Sequence, residues 1–308
     1  MESFGSIECF VRSAEGGSFA EAARHLSLTP AAVGKSVAKL EARLGVRLFQ
    51  RSTRRLTLTE AGKLFLEEVS GSLTTIQNAV ANLASAEGRP VGTLKVSMGT
   101  GFGREYVVPL LGDFLQRYPA ISPDWHFDNR PVDLIAEGFD AAIGGGIELS
   151  PGVVARELGP AHRVLLASPA YLANHPPLCS PQDLPQHDGI LIRSPQTGRV
   201  RPWTLRDREG TQAPVSLKVK MTMNDPNAAC EIAAMGLGVT LVSMPHAVVY
   251  MDSGALVRVL PDWYVDSGIL SLYFTAARLL PAKTRVFVDF MVERFRAQKL
   301  AERFSAIR

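Results

Sequence analysis

Apolar residues recur at helical spacing in three short stretches near the N-terminal end of the chain. The first stretch begins at Phe4 and ends at Gly16 and Gly17, because two consecutive glycines disfavour a continued helix. The second begins directly afterwards with Ser18 and Glu21, a capping-box pattern in which each side chain satisfies a backbone N–H near the first turn. These patterns predict two short helices joined by a tight turn.

The run TPAAVGKSVAKLEARLG predicts a third helix, with Thr29 as its N-cap and Pro30 at its first helical position. The apolar face of this helix consists of Val33, Val37, Leu40 and Leu44. The opposite face carries small side chains near the start of the helix and basic side chains further along. It consists of Ala32, Lys35, Ser36, Lys39 and Arg43. Gly34 lies among the small residues near the start of this exposed surface. There it either allows a partner to approach closely or is simply tolerated.

Positive charge is concentrated in this N-terminal part. Residues 1–58 hold nine lysines and arginines against five acidic residues, whereas the rest of the chain holds 24 against 25. After Gly45 the run RLFQRSTRRLTL alternates apolar and polar residues, which predicts a two-stranded wing with Arg51, Arg54 and Arg55 at its tip. A solvated basic loop is the alternative. Three short helices followed by a basic hairpin favour a winged helix-turn-helix that binds double-stranded DNA.

A long helix is predicted to begin after Thr59, which can cap it. Its apolar residues step alternately by three and four, and they are Leu66, Val69, Leu73, Ile76, Val80 and Leu83. A stripe this narrow suits pairing with a second helix in a dimer. Packing against the chain's own C-terminal part is the alternative. The segment from Glu87 to Pro90 ends the helix.

Beyond Pro90, short strand-like runs alternate with helical ones, which predicts an α/β domain with a mostly parallel sheet. The strand-like runs include TLKVSMG, WHFDN and FDAAIGGG, and the helical runs include LLGDFLQRYP and PVDLIAEG. The uncharged stretch Ile232–Met251 is interrupted by glycines and a proline, so it predicts helix, strand and helix rather than a membrane span.

The pattern GGSFAEAARHLSLTPAAVGKSVAKLEARLGVRLFQRSTRRLTLTEAG resembles the N-terminal region of LysR-type transcriptional regulators, without gaps. Helices of that family usually carry glutamine and serine where this chain has Pro30 and Gly34, so direct readout of bases is expected to be weaker here, with more dependence on phosphate contacts and DNA shape. The resemblance and the basic face together predict these DNA-facing residues: Thr29, Pro30, Ala31, Gly34, Lys35, Lys39, Arg51 and Arg54.

The resemblance continues through VDLIAEGFDAAI, ARELGPAHRVLLASPAYL and GLGVTLVS, which look like parts of the family's effector-binding domain. It implies an α+β multidomain protein that contains a winged helix-turn-helix (1–58), a dimerisation helix (59–88) and a two-lobed, periplasmic-binding-protein-like α/β domain (89–308). Lobe I is expected to comprise 89–163 and 269–308, and lobe II 164–268. A homodimer or a homotetramer would then present two or more recognition helices to DNA. The expected crossing strands lie near Arg163–Ala167 and Leu270–Phe274.

Two glycine-rich or capped helix starts are candidates for binding a small effector, because the N-terminus of a helix offers free N–H groups and a partial positive charge. One contains Thr100, Gly101 and Phe102, and the other contains Asn224, Asp225 and Pro226. Ordinary capping explains each segment separately, but the resemblance implies that both lie on one cleft. The effector would be anionic or strongly polar.

A departure from the family adds three further candidates for the effector site. Many relatives have an arginine after the Asp-x-Ala-Ile strand, where this chain has Gly144, Gly145 and Gly146. The resemblance therefore implies that Gly144 and Gly146 lie at the cleft, and that Arg193 or another group holds an anion. Otherwise the effector is less charged.

Other classes of function have weaker support. The chain has no export signal, no catalytic or phosphate-loop motif and no cofactor motif, and its three cysteines have no metal-ligand spacing. A cytoplasmic protein without a cofactor and without membrane attachment is therefore expected. Two alternatives stay open: an enzyme built on the two-lobed fold, and a thiol sensor using Cys179 and Cys230, of which Cys230 follows a helix start that would favour a thiolate.

Overall fold

The computed structural model describes residues 4–51, 56–84, 90–146, 151–275 and 280–307. The chain divides into two compact units. The first comprises Met1–Gly88 with Asp133–Phe139, and the second comprises Arg89–Val132 with Asp140–Arg308.

The first unit contains four helices and a two-stranded sheet within its described part. The elements are α1 (Phe4–Glu15), α2 (Phe19–Leu26), α3 (Pro30–Leu44), β1 (Phe49–Arg51), β2 (Leu56–Leu58) and α4 (Glu60–Ala84). Strands β1 and β2 pair antiparallel, with Phe49 opposite Leu58. Three helices followed by a hairpin are the winged helix-turn-helix that the sequence predicts.

Helix boundaries in this unit follow the local capping signals. The hydroxyl of Thr29 accepts a hydrogen bond from the backbone N–H of Ala32 (3.2 Å), and Gly45 ends α3 with a left-handed φ of 71°. The capping box of α2 forms only in one direction, because the Ser18 hydroxyl accepts from the N–H of Glu21 (3.1 Å) while the Glu21 carboxylate pairs with Arg24 instead.

The core of the first unit is built around Phe10, which is fully buried. Its ring lies 5.3 Å from that of Phe49 and 5.4 Å from that of Phe65, so α1 is joined to both the wing and α4. Helix α3 contributes the buried residues Val33, Val37 and Leu40. The prediction for Leu44 is wrong, because this residue is exposed next to the helix end.

Glu41 takes the buried position on the last turn of α3 that the sequence assigns to an apolar residue. Only 8% of the residue is exposed, and its carboxylate accepts hydrogen bonds from the N–H groups of Leu48 (2.8 Å) and Phe49 (3.0 Å). Because a carboxylate that accepts two backbone N–H groups satisfies donors that the buried loop would otherwise leave unpaired, Glu41 fixes the start of the wing.

The apolar stripe on α4 divides into an internal part and an exposed part. Leu73 is buried, and Leu66 and Val69 are half-buried against the core of the first unit. Ile76 is 47% exposed, and the side chains of Val80 and Leu83 lie outside the described residues. The first half of the stripe therefore packs inside the first unit, which is neither the predicted pairing with a second helix nor the alternative of packing against the C-terminal part.

The second unit contains the strands and helices of the α/β domain. Its strands are β3 (Gly92–Met98), β4 (Ile121–Phe127), β5 (Ala141–Gly145), β6 (Val153–Ala167), β7 (Asp188–Ile192), β8 (Thr204–Arg206), β9 (Gln212–Pro214), β10 (Lys218–Met223), β11 (Val239–Ser243), β12 (Val257–Val259) and β13 (Val265–Thr275). Its α-helices are α5 (Thr100–Phe102), α6 (Leu111–Arg117), α7 (Pro169–Ala173), α8 (Pro226–Ala234), α9 (Met244–Asp252), α10 (Ala282–Ala297) and α11 (Leu300–Arg303).

Nine of these strands form one sheet in the order β10, β7, β11, β6, β13, β5, β3 and β4, with β12 also paired to β6. The outer strands pair in parallel on each side, β10 and β11 with β7, and β4 and β5 with β3. The central strands β6 and β13 are antiparallel to each other and to their other neighbours. The sheet is thus parallel only at its two ends, because two long strands cross between lobes and must return.

The predicted crossing strands are confirmed, and they are longer than the predicted segments. Residues 163–166 of β6 pair with β11, and residues 270–274 of β13 pair with β5. Helix α10 packs against α6, with the rings of Phe287 and Phe290 at 5.7 Å and 5.2 Å from that of Phe114. Strands β8 and β9 form a separate hairpin.

The prediction of a helix in PVDLIAEG is wrong. Asp133 accepts hydrogen bonds from the N–H groups of Ile135 and Ala136 (both 3.0 Å), as a helix N-cap does. The segment nevertheless forms only turns, because Gly138 follows within one turn and has a left-handed φ of 67°.

We expect Glu41→Ala to lower the free energy of unfolding of the first unit by about 2 to 4 kcal/mol, since it leaves two buried N–H groups without an acceptor. Glu15→Ala is the matched control, because it removes an exposed carboxylate paired with Arg12 and should cost less than about 1 kcal/mol. Urea denaturation followed by circular dichroism measures both. Equal losses would contradict the role of Glu41.

Candidate effector and DNA sites

The second unit contains a cavity of about 590 Å³ beside its central strands. The walls include residues that follow the carboxyl ends of β3, β5, β7 and β10, namely Gly99, Gly146, Arg193 and Asn224. In open α/β sheets this edge is where ligands bind. The volume lies in the range of pockets that hold small organic molecules.

Most of the predicted effector residues lie on this cavity. Six of them line it: Phe102, Gly144, Gly146, Arg193, Asn224 and Pro226. The other three, Thr100, Gly101 and Asp225, are not among its lining residues.

Local hydrogen bonds and packing explain why those three residues lie off the cavity wall. The backbone N–H of Thr100 donates to the side chain of Asn129 (3.1 Å), and Gly101 lies against the Asn227 side chain, where an added Cβ would come within 2.3 Å of Oδ1. The carboxylate of Asp225 accepts from the N–H groups of Asn227 (2.8 Å) and Ala228 (2.9 Å). This carboxylate therefore already uses two of the free N–H groups at the start of α8. The expectation that the helix N-termini hold an anion stays a prediction.

Arg163 is a wall residue that the sequence analysis did not select as a ligand contact. Its Nε donates to the hydroxyl of Ser267 (3.2 Å), and its guanidinium lies 4.4 Å from the ring centroid of Trp203. The guanidinium of Arg201 lies 4.6 Å from the same ring. Burial, and then the charge of Arg201, lower the pKa of Arg163 to about 10, so its side chain is still protonated at neutral pH.

Among the described residues, no acidic side chain forms an ion pair with Arg163, Arg193 or Arg201. Asp128 is the acidic residue among the described residues of the wall, and it pairs with Arg130 (2.9 Å). The described part of the cavity wall therefore carries a net positive charge.

His246 adds a neutral polar group to the same wall. Its Nδ1 lies 2.9 Å from the hydroxyl of Ser243, while its buried Nε2 has no hydrogen-bond partner within the described part of the chain. Burial, followed by the positive charge of Arg163, lowers the pKa of His246 to about 4. The imidazole is thus uncharged at neutral pH and carries one unused polar atom.

The first unit presents a separate, basic surface at the start of α3. Thr29, Pro30, Ala31, Lys35 and Lys39 are exposed there. Neither Lys35 nor Lys39 forms an ion pair with another described residue.

Three DNA-facing candidates differ from this exposed group. Gly34 is half-buried rather than exposed, and a Cβ at this position would lie 3.7 Å from the Phe19 ring. The backbone of Arg51 belongs to β1, but its side chain is not described, and Arg54 lies outside the described residues.

Two family models match these two parts of the chain. The one described as LysR substrate binding domain matches residues 87–296. The one described as bacterial regulatory helix-turn-helix protein, lysR family, matches residues 4–63. The chain belongs to the LysR family of transcriptional regulators. This LysR-type regulator binds DNA through its helix-turn-helix and effectors through its substrate-binding domain, as predicted.

Whole-chain relatives agree with this assignment. An HTH-type transcriptional regulator of Xanthomonas campestris pv. campestris is 33% identical over 92% of this LysR-type chain and 83% of the relative. The HTH-type transcriptional regulator DmlR of Escherichia coli is 31% identical over 94% and 93%. The full-length Vibrio cholerae virulence activator AphB, a member of the LTTR protein family, has a TM-score of 0.60 at 25% identity, over 94% of this chain and 99% of that chain.

The family assignment also decides against the enzyme alternative, because the relatives are regulators. No helix in the described ranges of this LysR-type regulator is long and apolar enough to cross a membrane. Within those same ranges, no group of three or more potential ligand side chains could hold a metal ion.

The cysteines of this LysR-type regulator do not fit the thiol-sensor alternative. Cys230 follows the start of α8 as predicted, yet it is fully buried. Burial, rather than the helix start, dominates and raises the pKa of its thiol to about 12. Cys9 is also buried and its pKa is raised, whereas Cys179 is exposed.

We expect iodoacetamide at pH 8 to modify Cys179 and to leave Cys230 unmodified in the folded protein. Burial raises the pKa of the Cys230 thiol to about 12, so the thiol stays protonated at pH 8, and the side chain is inaccessible. Mass spectrometry before and after urea unfolding measures the modification. Rapid labelling of Cys230 in the folded state would contradict this assignment.

Proposed function

We propose that this regulator recognises its operator through the exposed start of α3 and the adjoining wing. The small residues Thr29 to Ala31 would lie close to base edges in the major groove, while Lys35 and Lys39 reach phosphates. Gly34, Arg51 and Arg54 complete the proposed surface. The supporting observation is that Lys35 and Lys39 are exposed and form no ion pair with the described residues, on a helix whose opposite face is buried.

Lys35→Ala should weaken operator binding and lower the salt dependence of binding by roughly one unit of slope, because one phosphate contact is lost. Lys63→Ala is the matched control, since Lys63 is exposed on α4 and paired with Glu60 (2.7 Å). Promoter occupancy across the genome supplies the operator, and fluorescence anisotropy at several salt concentrations measures affinity. Equal slopes in Lys35→Ala and wild type would contradict the assignment.

We propose that the effector binds in the 590 Å³ cavity of the second unit. Phe102, Gly144 and Gly146 of the proposed lobe I and Arg193, Asn224 and Pro226 of the proposed lobe II line this cavity. A ligand that touches both lobes favours the closed domain through its higher affinity for that state. Thr100, Gly101 and Asp225 would then act by holding the surrounding backbone rather than by touching the ligand.

We also propose that α4 pairs with a second copy of α4 in a homodimer, from which a tetramer can be built.

The sequence-derived limits of 1–58, 59–88 and 89–308 are proposed for the DNA-binding, linker and effector-binding domains. A regulator of bacterial promoters works where the chromosome lies, so we propose a cytoplasmic location.

Ile76→Asp should weaken the dimer at least tenfold, because a charge would enter the helix pair without a partner. Leu64→Asp is the matched control, since Leu64 is 63% exposed on α4 and lies off the stripe. Sedimentation over a range of protein concentrations measures the dimer. The proposal fails if both variants dissociate equally or if neither does. Leu73 is unsuitable for this test because it is buried in the core of its own unit.

A further inference from the structure

We propose that Arg163 and His246 form an anion-binding subsite in this cavity, and that the effector is an organic acid. Its carboxylate would bind the guanidinium and the imidazole Nε2, and an aromatic or aliphatic body would fill the rest of the cavity. This inference rests on the proposed function, because it assumes that the cavity holds the effector.

Arg163 retains unused hydrogen-bond donors. A guanidinium has five N–H donors in a rigid fork, and Nε uses one of them on Ser267. The ring of Trp203 lies over the guanidinium and restrains its orientation. The four N–H groups on the two terminal nitrogens have no partner among the described residues. They can bind both oxygens of a carboxylate in parallel.

Arg163 is a half-buried cation with no ion-pair partner among the described residues, which is unfavourable. The guanidinium of Arg201, 4.6 Å from the centroid of the same indole ring, adds a second positive charge. An anionic ligand would relieve both effects at once. Arg193 and Arg201 also raise the positive potential of the cavity, which attracts anions toward it.

His246 lies where it can share the same ligand. Ser243 on β11 is the direct register partner of Arg163 on β6, so the two side chains occupy the same face of the sheet. His246 follows on the first turn of α9 and contacts Ser243. When the Ser243 hydroxyl donates to Nδ1, the neutral ring carries its proton on Nε2. That N–H is then a donor for an anion.

The remainder of the cavity requires a hydrophobic body on the ligand. Its apolar wall includes Ile143, Ala161, Ile190, Leu241, Leu270 and Trp203. A small inorganic anion would neutralise the positive charge. It would leave these apolar side chains in contact with water and most of the 590 Å³ cavity filled with water. An organic acid satisfies the charged end and the apolar wall together.

Thermal unfolding of the full chain tests this subsite with defined probes at constant ionic strength. The probes are benzoate, phenylacetate and hexanoate, their uncharged primary amides, and sulfate. We expect at least one carboxylate to raise the melting temperature of the wild type, while its amide and sulfate have much smaller effects. Arg163→Met should weaken carboxylate binding at least tenfold.

Three further variants keep the result interpretable. Arg117→Met is the matched control, because Arg117 is exposed and paired with Glu293 (3.0 Å), and it should respond as the wild type does. Arg163→Lys keeps the charge but not the fork, so its affinity should be intermediate. His246→Phe should reduce affinity several-fold and provides a second test if Arg163→Met does not fold.

The proposal is overturned if no carboxylate stabilises the wild type, if amides or sulfate act as strongly as the acids, or if Arg163→Met and His246→Phe bind as tightly as the wild type. Operator binding separates this result from the proposed function. A carboxylate that changes operator affinity equally in wild type and Arg163→Met would support the effector role and overturn the subsite. A carboxylate that needs Arg163 but leaves operator affinity unchanged would support the subsite and contradict the effector role.

Discussion

The antiparallel pairing of β6 and β13 joins the two parallel halves of the nine-stranded sheet. Strand β11 attaches to β6 and strand β5 attaches to β13, so the strands on each side are connected through this central pair. The same two strands carry Arg163 and Ser267, which face the cavity. The hydrogen bonds that hold the lobes together therefore also fix the geometry of the ligand-binding wall.

Local signals were sufficient for much of the fold. Thr29, Pro30 and Gly45 set the ends of α3, because capping depends on residues that are adjacent in the chain. The positions that failed depend on distant contacts. Leu44 continues the apolar spacing, but the buried place near the end of α3 is taken by Glu41, whose two hydrogen-bond donors belong to the following wing. Likewise, spacing alone could not divide the α4 stripe into its internal and exposed parts.

The cavity was predictable in outline, because glycines and helix starts after strands identify the ligand-binding edge of an α/β sheet. The distinction between wall residues and supporting residues was not predictable, since it depends on whether a side chain such as that of Asp225 is used by its own helix. Arg163 and His246 are distant in the sequence, and register between β6 and β11 brings them together. The signal available in the sequence was an arginine directly before the apolar run VLLA at the end of β6.

Trp203 and Val215 belong to the short hairpin region around β8 and β9, which forms its own two-stranded sheet and contributes to the cavity wall. Their backbones are linked to each other, with the N–H of Val215 donating to the carbonyl of Trp203 (2.9 Å). The elements that determine ligand preference are thus partly different from those that stabilise the fold. During evolution, exchanges in this hairpin can reshape the cavity for new molecules while the central sheet stays intact, so one scaffold can serve regulators that respond to different signals.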